Sequence, residues 1–195
     1  FQLPPKIPLG LRGMTVSSKD TAASFTITMN ETLPKEKYRL QFFLDINQMT
    51  PEFDILINQN KVKHVNKDTI QNHFGEAFLE VVFEDEIKNV SVHHRGTSEL
   101  EETLTCYGIN IEHAAKHGLL YEAFGVGASQ FQSVLSLEKL EDQAPHLLPD
   151  VVIIDFGTNN ILYTNTMDNN IPRYVHEIVS KFKAINPEVS IVFTS

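Results

Sequence analysis

Among the side chains of this sequence, Asn159 is the one whose neighbours best prepare it for chemistry. It follows an apolar run, Val151-Val152-Ile153-Ile154-Asp155-Phe156, and sits in the stretch Gly157-Thr158-Asn159-Asn160. A run this rich in β-branched residues is expected to form a strand covered on both faces of a parallel sheet. Open sheets of that kind hold their ligands at the carboxyl ends of the strands. Gly157 can take backbone angles closed to other residues, so the chain can turn sharply there and aim the Asn159 amide outward. An amide N–H aimed at the negative oxygen of a tetrahedral acyl-transfer intermediate is typically worth about 3 kcal/mol of barrier. Gly and Asn are also common in ordinary turns, so these four residues alone name no reaction.

A second glycine segment lies some thirty residues upstream. Leu119-Leu120-Tyr121-Glu122-Ala123-Phe124 reads as an apolar segment, Gly125-Val126-Gly127-Ala128 as a glycine loop, and Ser129 as the start of a helix. Phe131, Val134, Leu135 and Leu140 recur at helical spacing, and that helix is expected to end before Pro145. Backbone amides at such a helix start can bind an anion or oxyanion without a charged side chain. The plainer role for Gly125 and Gly127 is close packing of helix on strand.

Taken in this order, the two motifs resemble blocks II and III of the SGNH hydrolase superfamily, the GDSL-like esterases and lipases. The resemblance implies an oxyanion hole with a backbone donor from Gly127 and a side-chain donor from Asn159. Block III here has Asn160 where the family has Asp, a departure that leaves the Asn159 donor intact. The resemblance covers residues from about 105 to 195. Downstream, Asp168 can cap a helix with Ile171, Val175, Ile178, Val179, Phe182 and Ile185 on one face. Asn186-Pro187 stops that helix, and Val189 to Phe193 begins another strand, completing a parallel crossover unit.

Two blocks of that family are missing. No Gly-Asp-Ser occurs to supply the nucleophile, and no Asp has a His three positions later to supply the base. Ser98 reads as a loop residue and Ser129 as a helix-start residue. His93-His94 reads as a solvated pair, and no cluster has metal-ligand spacing, so neither metal nor cofactor is expected. The sequence begins at Phe1 and ends at Ser195 directly after a strand. The expectation is therefore a piece of a longer esterase, with block I upstream and the Asp-x-x-His downstream.

The N-terminal part has another texture. Residues 14–16, 24–29, 38–46, 53–57, 77–83, 90–94 and 103–111 are short alternating or mixed segments, separated by signals such as Asn58-Gln59-Asn60 and Arg95-Gly96. That spacing predicts an antiparallel sandwich or jelly roll. The expected fold class is a β-sandwich over residues 1–112 followed by part of an SGNH-type three-layer α/β sheet over 113–195. A jelly roll between blocks I and II is similar to that of SGNH enzymes that remove O-acetyl groups from peptidoglycan, where it looks like a carbohydrate-binding domain. The return strand would be Leu104 to Ile111, followed by Gly118 to Tyr121. Phe42, Phe43, Phe53, Phe74, Phe78 and Phe83 read as sandwich core, and Tyr38, Tyr107 and His73 as the better solvent-facing contacts.

Charge and composition narrow the partners. A net charge of -9 argues against phosphate-backbone binding, so no nucleic-acid partner is expected. A 42% hydrophobic chain without a membrane-length apolar run reads as globular. Cys106 is the single cysteine, a small hydrophobe in a buried strand. The expected partner is a carbohydrate or acylated glycan, met in the periplasm, at the outer surface or after secretion. Two other readings stay open: a carbohydrate-binding or surface protein with a degenerate α/β half, and a nucleotide-binding domain using Gly125-Val126-Gly127. The second lacks both Gly-x-Gly-x-x-Gly and Gly-Lys-Ser/Thr.

Overall fold

The computed structural model describes residues 7–97, 101–115, 118–124, 129–164 and 169–194, without the side chains of 162–164. The chain forms two compact units, one of residues 15–121 and one joining the residues up to Met14 to residues 122–195.

The first unit is antiparallel. Its strands are β1 (Val16–Ser18), β2 (Ser24–Leu44), β3 (Phe53–Ile57), β4 (Asn60–Val65), β5 (Leu79–His94) and β6 (Leu104–His113), with a short helix α1 (Lys67–Asn72) after β4. They hydrogen-bond in the order β1-β6-β2-β5-β3-β4. The long β2 and β5 serve both halves of the sheet. Their register slips between Thr28 and Leu33 and again between Leu33 and Glu36. Before those bulges β2 pairs with the end of β5, which also pairs with β3; after them it pairs with the start of β5 and with β6.

Alternation along each strand sends one set of side chains inward. Tyr38, Leu40, Phe42, Phe53, Ile55, Ile57, Leu79, Ile87, Val90, Val92, Leu104 and Cys106 form one core with Ile70 of α1. That core draws on both halves of the sheet, and burying side chains this completely supplies on the order of 2 kcal/mol each. Two expected surface aromatics are inside. Tyr38 and Tyr107 are buried, because Tyr38 falls on the inward parity of β2 and can satisfy its hydroxyl by donating to Pro34 O at 2.8 Å. Of the expected core phenylalanines, Phe42, Phe43 and Phe53 are buried, whereas Phe74, in the turn after α1, is exposed.

Two long strands replace four expected short ones, since β2 runs through Asn30 to Lys37 and β5 through Glu84 to Asn89. Polar residues on an outward-facing ribbon do not end a strand. The β3–β4 hairpin turns at Asn58 and Gln59, both at positive φ. The Asn58 side chain ties that turn to β5 by donating to Glu86 O and accepting from Lys88 N–H at 2.8 Å.

The second unit contains α2 (Phe131–Leu135), α3 (Leu140–Leu147), β7 (Val151–Asp155), α4 (Thr158–Thr164), α5 (Ile171–Ile185) and β8 (Ser190–Thr194). β7 and β8 are parallel, with Val151 opposite Ser190 and Asp155 opposite Thr194, as expected of a crossover unit. The helix expected between Phe131 and Pro145 is two pieces, and Pro145 lies inside α3. Proline lacks the N–H that would bond Glu141, a loss that a two-turn helix tolerates when packing holds it. Phe131, Leu140, Ala144, Ile154, Ile178, Phe182 and Val189 form the core with Leu11. Leu11 is held by Gln143, whose buried Oε1 accepts its N–H at 2.8 Å.

One expectation for β7 fails here. Ile154 is buried, but Val151 and Ile153 are 55% and 62% exposed, and Val192 opposite Ile153 is 44% exposed. The strand has the composition of one covered on both faces, and this unit covers only one.

Candidate active site

Gly157 has φ 132°, a conformation that only glycine takes without strain, and it joins β7 directly to α4. The helix closes its first turn with Ile161 N–H donating to Gly157 O at 3.1 Å. Asn159 and Asn160 therefore lie in the first turn of a helix at the carboxyl end of a parallel strand.

The two amides divide their work. Asn159 is half-buried, and its Nδ2 donates to Ser129 O at 2.9 Å. An amide nitrogen carries two hydrogens, and the second has no partner among the described residues. Asn160 is 1% exposed. Its Oδ1 accepts Phe131 N–H at 3.3 Å, and its Nδ2 donates to Gln132 Oε1 at 3.2 Å. Gln130 closes the lattice, with Nε2 donating to the Asn159 carbonyl at 3.1 Å and Oε1 accepting from Gln132 Nε2 at 2.6 Å.

These bonds join the start of α4 to residues 129–132, which directly follow Gly125-Val126-Gly127-Ala128 in the sequence. Gly127 itself lies outside the described residues, as do Ser98 and Asp168. An amide at position 160 does what a carboxylate could not: a carboxylate could accept from Phe131 but could not donate to Gln132. α5 begins at Ile171 with Asn170 as its N-cap residue. Ser129 precedes α2 by two residues and lends its carbonyl to Asn159.

The first unit has polar chemistry of its own. His94 is buried, not solvated, with Nδ1 accepting Gly96 N–H at 3.0 Å and Nε2 without a partner among the described residues. Burial holds its pKa below the ordinary histidine value; Glu102 and Asp20 oppose that shift and Lys67 adds to it. Glu102 is also buried and accepts from Lys67 Nζ. A side chain at Gly96 would meet Glu102 at 2.4 Å and His94 and Pro51 at 2.8 Å, so the position has room only for glycine. His73 is half-buried and bonds the Thr69 carbonyl. Among the described residues no group of three His, Cys, Asp or Glu side chains is placed to hold a metal ion, and no described helix is long and apolar enough to cross a membrane.

No family model and no curated protein matches this chain. Solved structures do match. One, described as a peptidoglycan O-acetylesterase in action, superposes with a TM-score of 0.66 at 18% identity, over 95% of this chain and 47% of that one. This chain shares that esterase's fold. It spans about half of the esterase's length, and at such identity the likeness is one of fold. Looser overlaps are with the CBM32-1 module of a family 31 glycoside hydrolase from Clostridium perfringens (TM-score 0.32, 15% identity, 55% of this chain and 82% of that one). A family two carbohydrate esterase from Clostridium thermocellum overlaps at 0.29, with 10% identity over 91% of this chain and 72% of that one.

Two features lay beyond the sequence reading. One is the pairing of Asn160 with Gln132. The other is a cluster around Asp54, signalled only by a lone carboxylate among the apolar residues of β3.

Proposed function

We propose that this chain is part of an SGNH-type carbohydrate esterase that removes O-acetyl groups from a glycan. The observation that carries the reading is Asn159, an amide with a hydrogen unspent among the described residues, in the first helical turn beyond a parallel strand, in a chain that shares a fold with a peptidoglycan O-acetylesterase. In the reaction a serine activated by histidine attacks the acetyl carbonyl, and water then releases acetate. Gly127 N–H and Asn159 Nδ2 hold the oxyanion. Gln130, Gln132 and Asn160 hold Asn159 against residues 129–132, so its amide is oriented before the substrate arrives.

The serine and histidine come from residues outside these 195, which also complete the parallel sheet and cover Val151, Ile153 and Val192. The antiparallel unit is a jelly-roll sandwich that binds carbohydrate. The enzyme works in the periplasm, at the outer surface or in the secreted fraction, on an acylated glycan and without a cofactor. The test is acetate release from p-nitrophenyl acetate and from an O-acetylated glycan, by this chain and by the longest reading frame that contains it. Release by the longer protein and none by the chain is the expected pair of results. An inert longer protein would overturn the reading.

A further inference from the structure

We propose that the antiparallel unit carries a site for a carboxylate-bearing saccharide, built on the buried carboxylate of Asp54; the saccharide part rests on the glycan reading above. Asp54 lies on β3 with its side chain only 4% exposed. It holds three cationic or imidazole groups that are themselves half in solvent. Arg95 Nε donates to Oδ2 at 2.9 Å, His64 Nδ1 meets Oδ1 at 2.7 Å, and Lys61 Nζ stands 3.5 Å from Oδ2. Their side chains are 52%, 44% and 57% exposed. Burial by itself would raise the Asp54 pKa, but the hydrogen bonds from His64 and Arg95 and the nearby charge of Lys61 and Arg95 bring it below the usual carboxylate range.

The negative charge is thus inside and the donors are outside. Asp54 takes only Nε of Arg95, and no described side chain takes either terminal nitrogen, so half of a planar fork is left oriented and open. Such a fork matches the two oxygens of a carboxylate, and Lys61 adds a point charge beside it. His64 is held by Nδ1, which turns Nε2 away from Asp54 and to within 3.8 Å of Glu52 Oε2. Glu52 is anchored in turn, its Oε1 accepting Lys67 N–H at 3.1 Å. Donors for a carboxylate beside an acceptor for a hydroxyl are the complement of a sugar acid. A bare carboxylate would leave Glu52 unused, and a neutral sugar would leave the open Arg95 fork without its match.

The experiment is chemical-shift mapping on the isotope-labelled 195-residue chain with D-glucuronate, D-glucose, acetate and a dipeptide as separate probes. Glucuronate is expected to move the signals of His64, Arg95 and Lys61 with a Kd on the order of 1 mM. Arg95→Lys keeps the charge and loses the fork, and should weaken binding about tenfold. Lys61→Ala, at an exposed position, should weaken it severalfold with the rest of the spectrum unchanged, which keeps the test valid if the Arg95 variant unfolds. An equal response to glucose would overturn the carboxylate assignment. Acetate or dipeptide binding as tightly as glucuronate would overturn the saccharide. No shift at concentrations on the order of 10 mM would overturn the site. Binding needs no turnover, so an inert esterase leaves this result standing, and failure here leaves the esterase reading standing.

Discussion

At the scale of single residues, His94 shows how a side chain's surroundings decide its chemistry. Its sequence position beside His93 reads as a solvated pair, yet the strand parity of β5 turns it inward. Burial then favours the neutral ring, although Glu102 and Asp20 favour the charged one and Lys67 opposes it. The sign of the linkage follows: the unfolded chain binds a proton near the ordinary value of about 6.5, whereas the folded chain resists it to lower pH. Stability from this group is complete above that value and is lost as pH falls through the depressed folded pKa. Urea midpoints should therefore drop as pH falls below about 6.5, and the drop should be shallower in His94→Gln. A slope that is the same in both proteins would contradict this account of His94.

At the scale of elements, apolar patterning made part of the fold legible and left other parts hidden. The β7 run, the α5 face and the stop at Asn186-Pro187 could be read because each element is amphipathic or apolar throughout its length. β4 could not, because Asn60 to His64 is mostly polar and takes its strand conformation from pairing with β3. The joined β2 and β5 were also hidden, since outward polar residues look like breaks. Asn159 could be singled out from its spacing after Gly157, but the lattice around it depends on long-range partners. That lattice makes Asn160 an element-scale link between α2 and α4. Asn160→Ala should destabilise the chain by about 1–3 kcal/mol, since it leaves the buried Phe131 N–H and the half-buried Gln132 Oε1 without their Asn160 partner. Ile178→Ala, which opens a cavity under α5, should cost about 2–5 kcal/mol. Chemical denaturation measures both, and an unchanged midpoint for Asn160→Ala would remove its structural role.

At the scale of the whole molecule, two compact units share one chain, and one of them presents a strand pair with an apolar open face. Parallel sheets are ordinarily covered on both faces. Val151, Ile153 and Val192 should therefore make this chain self-associate, and the double change Ile153→Lys with Val192→Lys should restore a monomer in sedimentation without lowering the denaturation midpoint. A wild-type chain that stays monomeric at high concentration would count against an unmet need for cover. The esterase reading turns on the amide of Asn159 stabilising an oxyanion, and the turnover number for acetate release by the longest protein containing this chain, with and without Asn159→Ala, decides it. A fall of about a hundredfold or more is expected, beside a loss of about 1 kcal/mol of stability from the Ser129 hydrogen bond; wild-type turnover in the variant would rule out the oxyanion role.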